Sequence, residues 1–170
     1  KKNDFLGKIK LIVPGLHNIC HALAVISVLD TLGYNFEDYS KYFEEFSGMG
    51  RRFQIVADNK AKNIKIVDDY AHHPSEIKST LNAVQKSSRR KVVIFQPHRY
   101  TRFKGLFEEF KKSFDDTDIL FVTDVYNAGD KPIKGYESFD FVDQIEKKDV
   151  YYAKGSIDEA GKLIAPYLKQ

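Results

Sequence analysis

Two carboxylates, a phenol and two imidazoles fall within Asp68-Asp69-Tyr70-Ala71-His72-His73, and Pro74 then breaks the chain. Packing alone does not call for that composition. Acids and imidazoles titrate apart, ligate metals and hold ligands. Two further stretches are similarly loaded: Gln96-Pro97-His98-Arg99-Tyr100-Thr101-Arg102 and Thr123-Asp124-Val125-Tyr126-Asn127-Ala128-Gly129-Asp130. Arg99 and Arg102 lie three apart where a helix begins, so they can face the same way. Guanidiniums there oppose the helix dipole, which disfavours them for stability. They suit an anion, because a guanidinium fork grips carboxylate or phosphate with direction as well as charge. Two solvated surface arginines are the plainer alternative.

Each loaded stretch follows an apolar run: Ile64 to Val67, Val92 to Phe95, and Ile119 to Val122. The chain from residue 53 reads as strands alternating with helices. Strands are expected at 53–57, 64–67, 91–95, 118–123 and 150–152. Helices are expected at 75–85, 103–114, 139–145 and 157–168. This pattern predicts an α/β fold, a Rossmann-like and mostly parallel sheet with helices on both faces. Ligand sites in such sheets lie at the carboxyl ends of strands, which would bring the three loops to one edge.

Before residue 48 the pattern differs. A strand is expected at Ile9–Val13, ended by Pro14-Gly15. A helix follows over His17–Leu32, with Ile19, Leu23, Ile26 and Leu29 as its apolar stripe and Gly33 as its stop. A second helix is expected over Glu37–Phe46. This short α/β segment is too small to hold a core alone. The expected division is 1–47, a linker at 48–52, and a domain over 53–170.

His17-Asn18 opens the first helix, and Asn there serves either as a cap or as a two-way hydrogen-bonder to a base. Arg51-Arg52 at the boundary is either a solvated pair or a reach towards phosphates. His72, His73 and His98 with Asp68 and Asp69 match no standard zinc spacing, so no tight metal site is expected. A loosely held Mg²⁺ shared with phosphates fits better. Cys20, the one cysteine, reads as a helical packing residue with no group placed to activate it.

The 170 residues carry a net charge of +3. That suits small anions and is too weak and dispersed to argue for nucleic acid. No apolar run approaches the ~20 residues of a membrane helix. A single cysteine, no secretory signal and no intramembrane stretch together predict a cytoplasmic protein. Oligomeric state is not legible.

With these residues in view, the chain resembles the Mur ligases. The motifs are PGLHN at 14–18, GMGRRF at 48–53, DDYAHHPSEI at 68–77, FQPHRYTR at 95–102 and DVYNAGDKPIKG at 124–135. The last two point to the alanine-adding branch. Position 21, where the pattern carries a second asparagine, holds His21. The resemblance implies ATP-driven ligation of L-alanine to UDP-N-acetylmuramate in peptidoglycan synthesis. Residues 1–47 would be the tail of a central ATP-binding domain and 53–170 the C-terminal amino-acid-binding domain. Tyr70, His72, His98, Arg99 and Arg102 would form the L-alanine site. Asn18, Arg52 and Asp69 would contact the nucleotide. ATP and Mg²⁺ would be held mainly by a part of the central domain that this sequence lacks, since it has no G-x-x-x-x-G-K-[ST]. The chain is therefore expected to be truncated at both ends and inactive alone. The alternatives are a murein peptide ligase, a metal-dependent phosphohydrolase-like domain and a non-catalytic Rossmann-like binding module.

Overall fold

The structure is a computed structural model describing residues 5–168. The outermost residues of both expected domains, 1–4 and 169–170, lie outside the described residues. The chain forms two compact units that divide between Tyr70 and Ala71.

In the first unit, α1 (Leu16–Thr31) starts after Pro14-Gly15 and ends where Gly33 takes a φ of 84°, a conformation that glycine adopts without a side-chain clash. Its apolar stripe is present but not enclosed. Only Ala22 is buried, while Ile19 and Leu23 are 48% and 56% exposed. The expected strand at 9–13 does not form; among the described residues no other strand pairs with it, and a strand without a ladder leaves its amides unmatched. The expected helix over 37–46 forms as two single turns, α2 (Phe36–Tyr39) and α3 (Tyr42–Glu45).

β1 (Gln54–Asn59) and β2 (Ile64–Asp68) make an antiparallel hairpin, a two-stranded sheet of its own. The turn between them is closed by the Lys62 amide donating to Asn59 Oδ1 at 3.0 Å. The expectation that β2 joins the parallel sheet is therefore corrected. The connection from β1 to β2 is too short for the crossover that parallel pairing requires.

The second unit is built on three parallel strands, β3 (Val92–Phe95), β4 (Ile119–Thr123) and β5 (Val150–Ala153), in that spatial order. β4 is central and buried along its whole length. Its side chains alternate between two cores, as strand geometry requires. Leu120 and Val122 join a cluster with Phe95, Phe103, Phe110, Phe114 and Phe141. Ile119 and Phe121 join another with Ala153, Ala160 and Ile164. α4 (Pro74–Ala83) and α7 (Ser138–Gln144) supply the first core, and α8 (Ile157–Ile164), continued by a 3-10 turn to Leu168, supplies the second. Helices thus cover both faces, as the continuous apolar runs predict.

The expected helix over 103–114 is two pieces, α5 (Tyr100–Gly105) and α6 (Phe107–Lys111). The break falls at Leu106, whose φ of −125° leaves the helical range just after Gly105, a poor helix former. All the phenylalanines of the predicted face still bury: Phe103, Phe107, Phe110 and Phe114 are each 5% exposed or less.

Candidate functional site

The parallel ladder of β3 and β4 runs on past the strands into their loops. His98 and Tyr126 form an isolated parallel bridge. The Tyr126 amide donates to the Pro97 carbonyl and the Arg99 amide to the Tyr126 carbonyl, each at 2.8 Å. This zip fixes the two loops to each other at the carboxyl edge of the sheet, where the topology predicts a ligand site.

Arg99 adopts a φ of 69° at the start of α5. That conformation is costly for a residue with a side chain and persists only where its surroundings hold it. The Tyr126 carbonyl holds its amide, and Asp130 bonds its side chain and Thr101. Asp130 Oδ1 accepts from Arg99 Nη2 at 3.1 Å, and Asp130 Oδ2 accepts from the Thr101 amide at 3.0 Å and hydroxyl at 2.7 Å. The Thr101 bonds first, and Arg99 after them, hold the Asp130 carboxyl at about 2.

The rings of His72 and His98 lie 6.0 Å apart, and those of His98 and Tyr126 5.2 Å apart. Burial, and then the neighbouring Arg102, His72 and Arg99 side chains, push the His98 imidazole below its ordinary value. It is therefore a neutral ring at pH 7 beside two fixed cations. Arg102 is the second of these. Its Nη1 is buried and has no hydrogen-bond partner. Buried donors are almost always paired, so this guanidinium nitrogen is free to take a further acceptor.

The stretch from 68 to 74 divides between the units. His72 lies in the second unit near His98. Its amide and that of His73 donate to Glu76 Oε2 at 2.9 and 3.1 Å, and Pro74 opens α4. His73 Nδ1 accepts from the Ser75 amide. His73-Pro74-Ser75-Glu76 is therefore a helix cap. Asp68, Asp69 and Tyr70 belong to the first unit, and β2, which precedes them, is not a strand of the parallel sheet. Arg51 Nε lies 3.4 Å from Asp68, and Asp69 Oδ2 accepts from the Phe53 amide at 3.0 Å. The guanidiniums of Arg51 and Arg52 lie 5.0 and 5.6 Å from the centre of the Tyr70 ring. Asn18 donates from Nδ2 to the Pro14 carbonyl at 2.6 Å, closing the start of α1.

Of the expected amino-acid-site residues, the second unit thus brings together His72, His98, Arg99 and Arg102. Tyr70 is placed with the first unit, as are Asn18, Arg52 and Asp69. Sequence reasoning placed the loop that carries Tyr126 and Asp130 at this edge but missed the pairing of Asp130 with Arg99 and Thr101 and the bridge between Tyr126 and His98. The signal available was the Asn127-Ala128-Gly129-Asp130 turn. Among the described residues no group of three or more His, Cys, Asp or Glu side chains could hold a metal ion. No helix among them is long and apolar enough to cross a membrane.

Residues 51–170 match the family described as Mur ligase, glutamate ligase domain. The chain is 53% identical over 135 residues to the UDP-N-acetylmuramate–L-alanine ligase of Geotalea daltonii, covering 79% of this chain and 29% of that protein. It is 40% identical over 170 residues to the Desulforamulus reducens protein of the same name, covering 98% and 36%. The crystal structure of UDP-N-acetylmuramate-alanine ligase from Thermotoga maritima superimposes with a TM-score of 0.73 at 36% identity, covering 92% of this chain and 33% of that one. A murein peptide ligase from Psychrobacter arcticus shares the fold at a TM-score of 0.59 and 22% identity. The chain spans about a third of the length of the curated relatives that it matches.

Proposed function

The chain belongs to the Mur ligase family, and from that premise we propose that it is the C-terminal part of a ligase that adds L-alanine to UDP-N-acetylmuramate at the expense of ATP. In this reading 1–47 is the tail of a central ATP-binding domain, 48–52 a linker and 53–170 the amino-acid-binding domain, in a cytoplasmic enzyme of peptidoglycan synthesis. The start of the family match at residue 51 supports that division. The observation that carries the proposal is the open, buried Arg102 Nη1 beside Arg99 and the His72–His98 pair.

The chemistry follows from holding an amino acid by its carboxylate. The muramoyl carboxylate attacks the γ-phosphorus of ATP, ADP leaves and an acyl phosphate forms. The alanine amine attacks the acyl carbon, a tetrahedral intermediate collapses, phosphate leaves and the nitrogen loses a proton. The chain's own contribution is positional. Arg102 and Arg99 take the carboxylate, so the amine is left to attack. His98, kept neutral, adds no third positive charge near that amine. His72 and Tyr70 are further candidates for the amino-acid contact, and Asn18, Arg52 and Asp69 for the nucleotide. Mg²⁺ would arrive with ATP and be held mainly by the central domain; among the described residues no group of three or more His, Cys, Asp or Glu side chains could hold it.

The test is phosphate release by the full-length enzyme with ATP and UDP-N-acetylmuramate. Turnover with L-alanine, weak turnover with glycine or serine, and none with a tripeptide are expected. One methyl group separates alanine from glycine by only ~1–3 kcal/mol, so that discrimination is modest. Turnover with the tripeptide and not with alanine would move the chain to the murein peptide ligases.

A further inference from the structure

We infer that Asp130 is a positioning residue for the amino-acid substrate: it presets the Arg99 guanidinium and, through Thr101, the backbone turn that carries it. The inference rests on the carboxylate-site reading above. The turn Asn127–Asp130 is built for the purpose. The Asp130 amide donates to the Asn127 carbonyl at 2.9 Å, and the Gly129 amide to Asn127 Oδ1 at 3.3 Å. Ala128 and Gly129 take φ values of 48° and 90°. This compact turn aims one carboxylate across to the neighbouring loop, where it bonds residues on both sides of Tyr100.

Two features separate this arrangement from an ordinary surface ion pair. First, Oδ2 is committed to the Thr101 amide and hydroxyl, so Asp130 stays in place whether or not Arg99 moves. Second, Arg99 is held in a left-handed conformation that its own side chain disfavours, and the bonds at 99 and 101 bracket it. A guanidinium has more N–H donors than one carboxylate oxygen uses, so the contact at Nη2 orients Arg99 and leaves donors for a ligand. Arg102 has no such orienting partner at Nη1. The pair therefore divides the work: Arg99 is preset and Arg102 is open.

The experiment is a double-mutant cycle in the full-length ligase with Asp130→Asn and Arg99→Ala, reading KM for L-alanine and for ATP. Asp130→Asn keeps the size of the side chain and can still accept from Thr101. It is expected to raise the alanine KM about ten-fold, a coupling within the ordinary range for residues sharing one ion pair, and to leave the ATP KM unchanged. In the Arg99→Ala background the same substitution is expected to change the alanine KM less than two-fold, roughly the limit of additivity for unlinked sites. Asp130→Glu is expected to restore part of the loss, and serves as the second variant if Asp130→Asn folds poorly. An unchanged alanine KM in Asp130→Asn, or an equal rise in both backgrounds, overturns the inference. If Arg99→Ala itself leaves the alanine KM unmoved, the carboxylate-site reading fails instead.

Discussion

Arg102→Met should stabilise the ligand-free protein while weakening its grip on the substrate. In the ligand-free protein the buried Nη1 pairs with no group of the chain. An unsatisfied buried donor costs ~1–3 kcal/mol. Methionine keeps much of the aliphatic stem of arginine and removes the donor. A gain of ~1 kcal/mol is expected, which in a chain of this size raises Tm by roughly 2–4 °C. With the amino acid bound the sign reverses. A hydrogen bond to a charged group contributes ~1.5–3 kcal/mol, so its loss raises KM roughly ten- to over a hundred-fold. Arg99→Met lacks the first effect, because Asp130 already satisfies Nη2 at 3.1 Å; its Tm should not rise. Thermal unfolding of the ligand-free variants and the alanine KM of the full-length enzymes supply both readouts. A lower Tm for Arg102→Met together with an unchanged KM would show that Arg102 is a packing residue, and would refute the reasoning.

Two other outcomes follow from the same geometry. Phe103 is fully buried, with the rings of Phe107, Phe110 and Phe141 5.3 to 5.4 Å from its own, so Phe103→Ala should cost ~3–5 kcal/mol in denaturant unfolding; a loss under ~1 kcal/mol would mean that the aromatic cluster is not the core of the second unit. The folded pKa of His98 lies below its unfolded value, mainly through burial. The unfolded state therefore takes up the proton first, and stability is lost as pH falls through about 6.5 towards the lower folded value. His98→Gln should flatten the dependence of the urea midpoint between pH 7 and pH 5, and parallel curves for variant and wild type would contradict the assignment.

Much of the second unit was legible because its signals are local. β3 and β4 are unbroken apolar runs, and the phenylalanines from 103 to 114 bury as their spacing predicts even though the helix breaks at Leu106. The hairpin was half legible. Two strands separated by a few polar residues have no room for a crossover and must pair antiparallel; the alternation of later elements obscured that. Periodicity identified the apolar face of α1 but carries no information on what covers it, and Ile19 and Leu23 are exposed. In the site, the guanidinium and imidazole chemistry stood out by residue type. The capping role of Glu76 at His72 and His73 was hidden, because the histidines drew attention from a proline followed two residues later by a glutamate. The pairing of Asp130 was hidden for a different reason: its partners, Arg99 and Thr101, lie about thirty residues away in sequence and are brought to it only by the β3–β4 register.

The central claim is that the carboxyl edge of the β3–β4 pair holds the carboxylate of the amino acid to be ligated. A crystal structure of the full-length enzyme soaked with L-alanine tests it most directly. The account predicts one carboxylate oxygen within hydrogen-bond distance of Arg102 Nη1, with Arg99 alongside and still paired to Asp130. Alanine bound at another site, with Arg102 Nη1 facing no ligand, would contradict it.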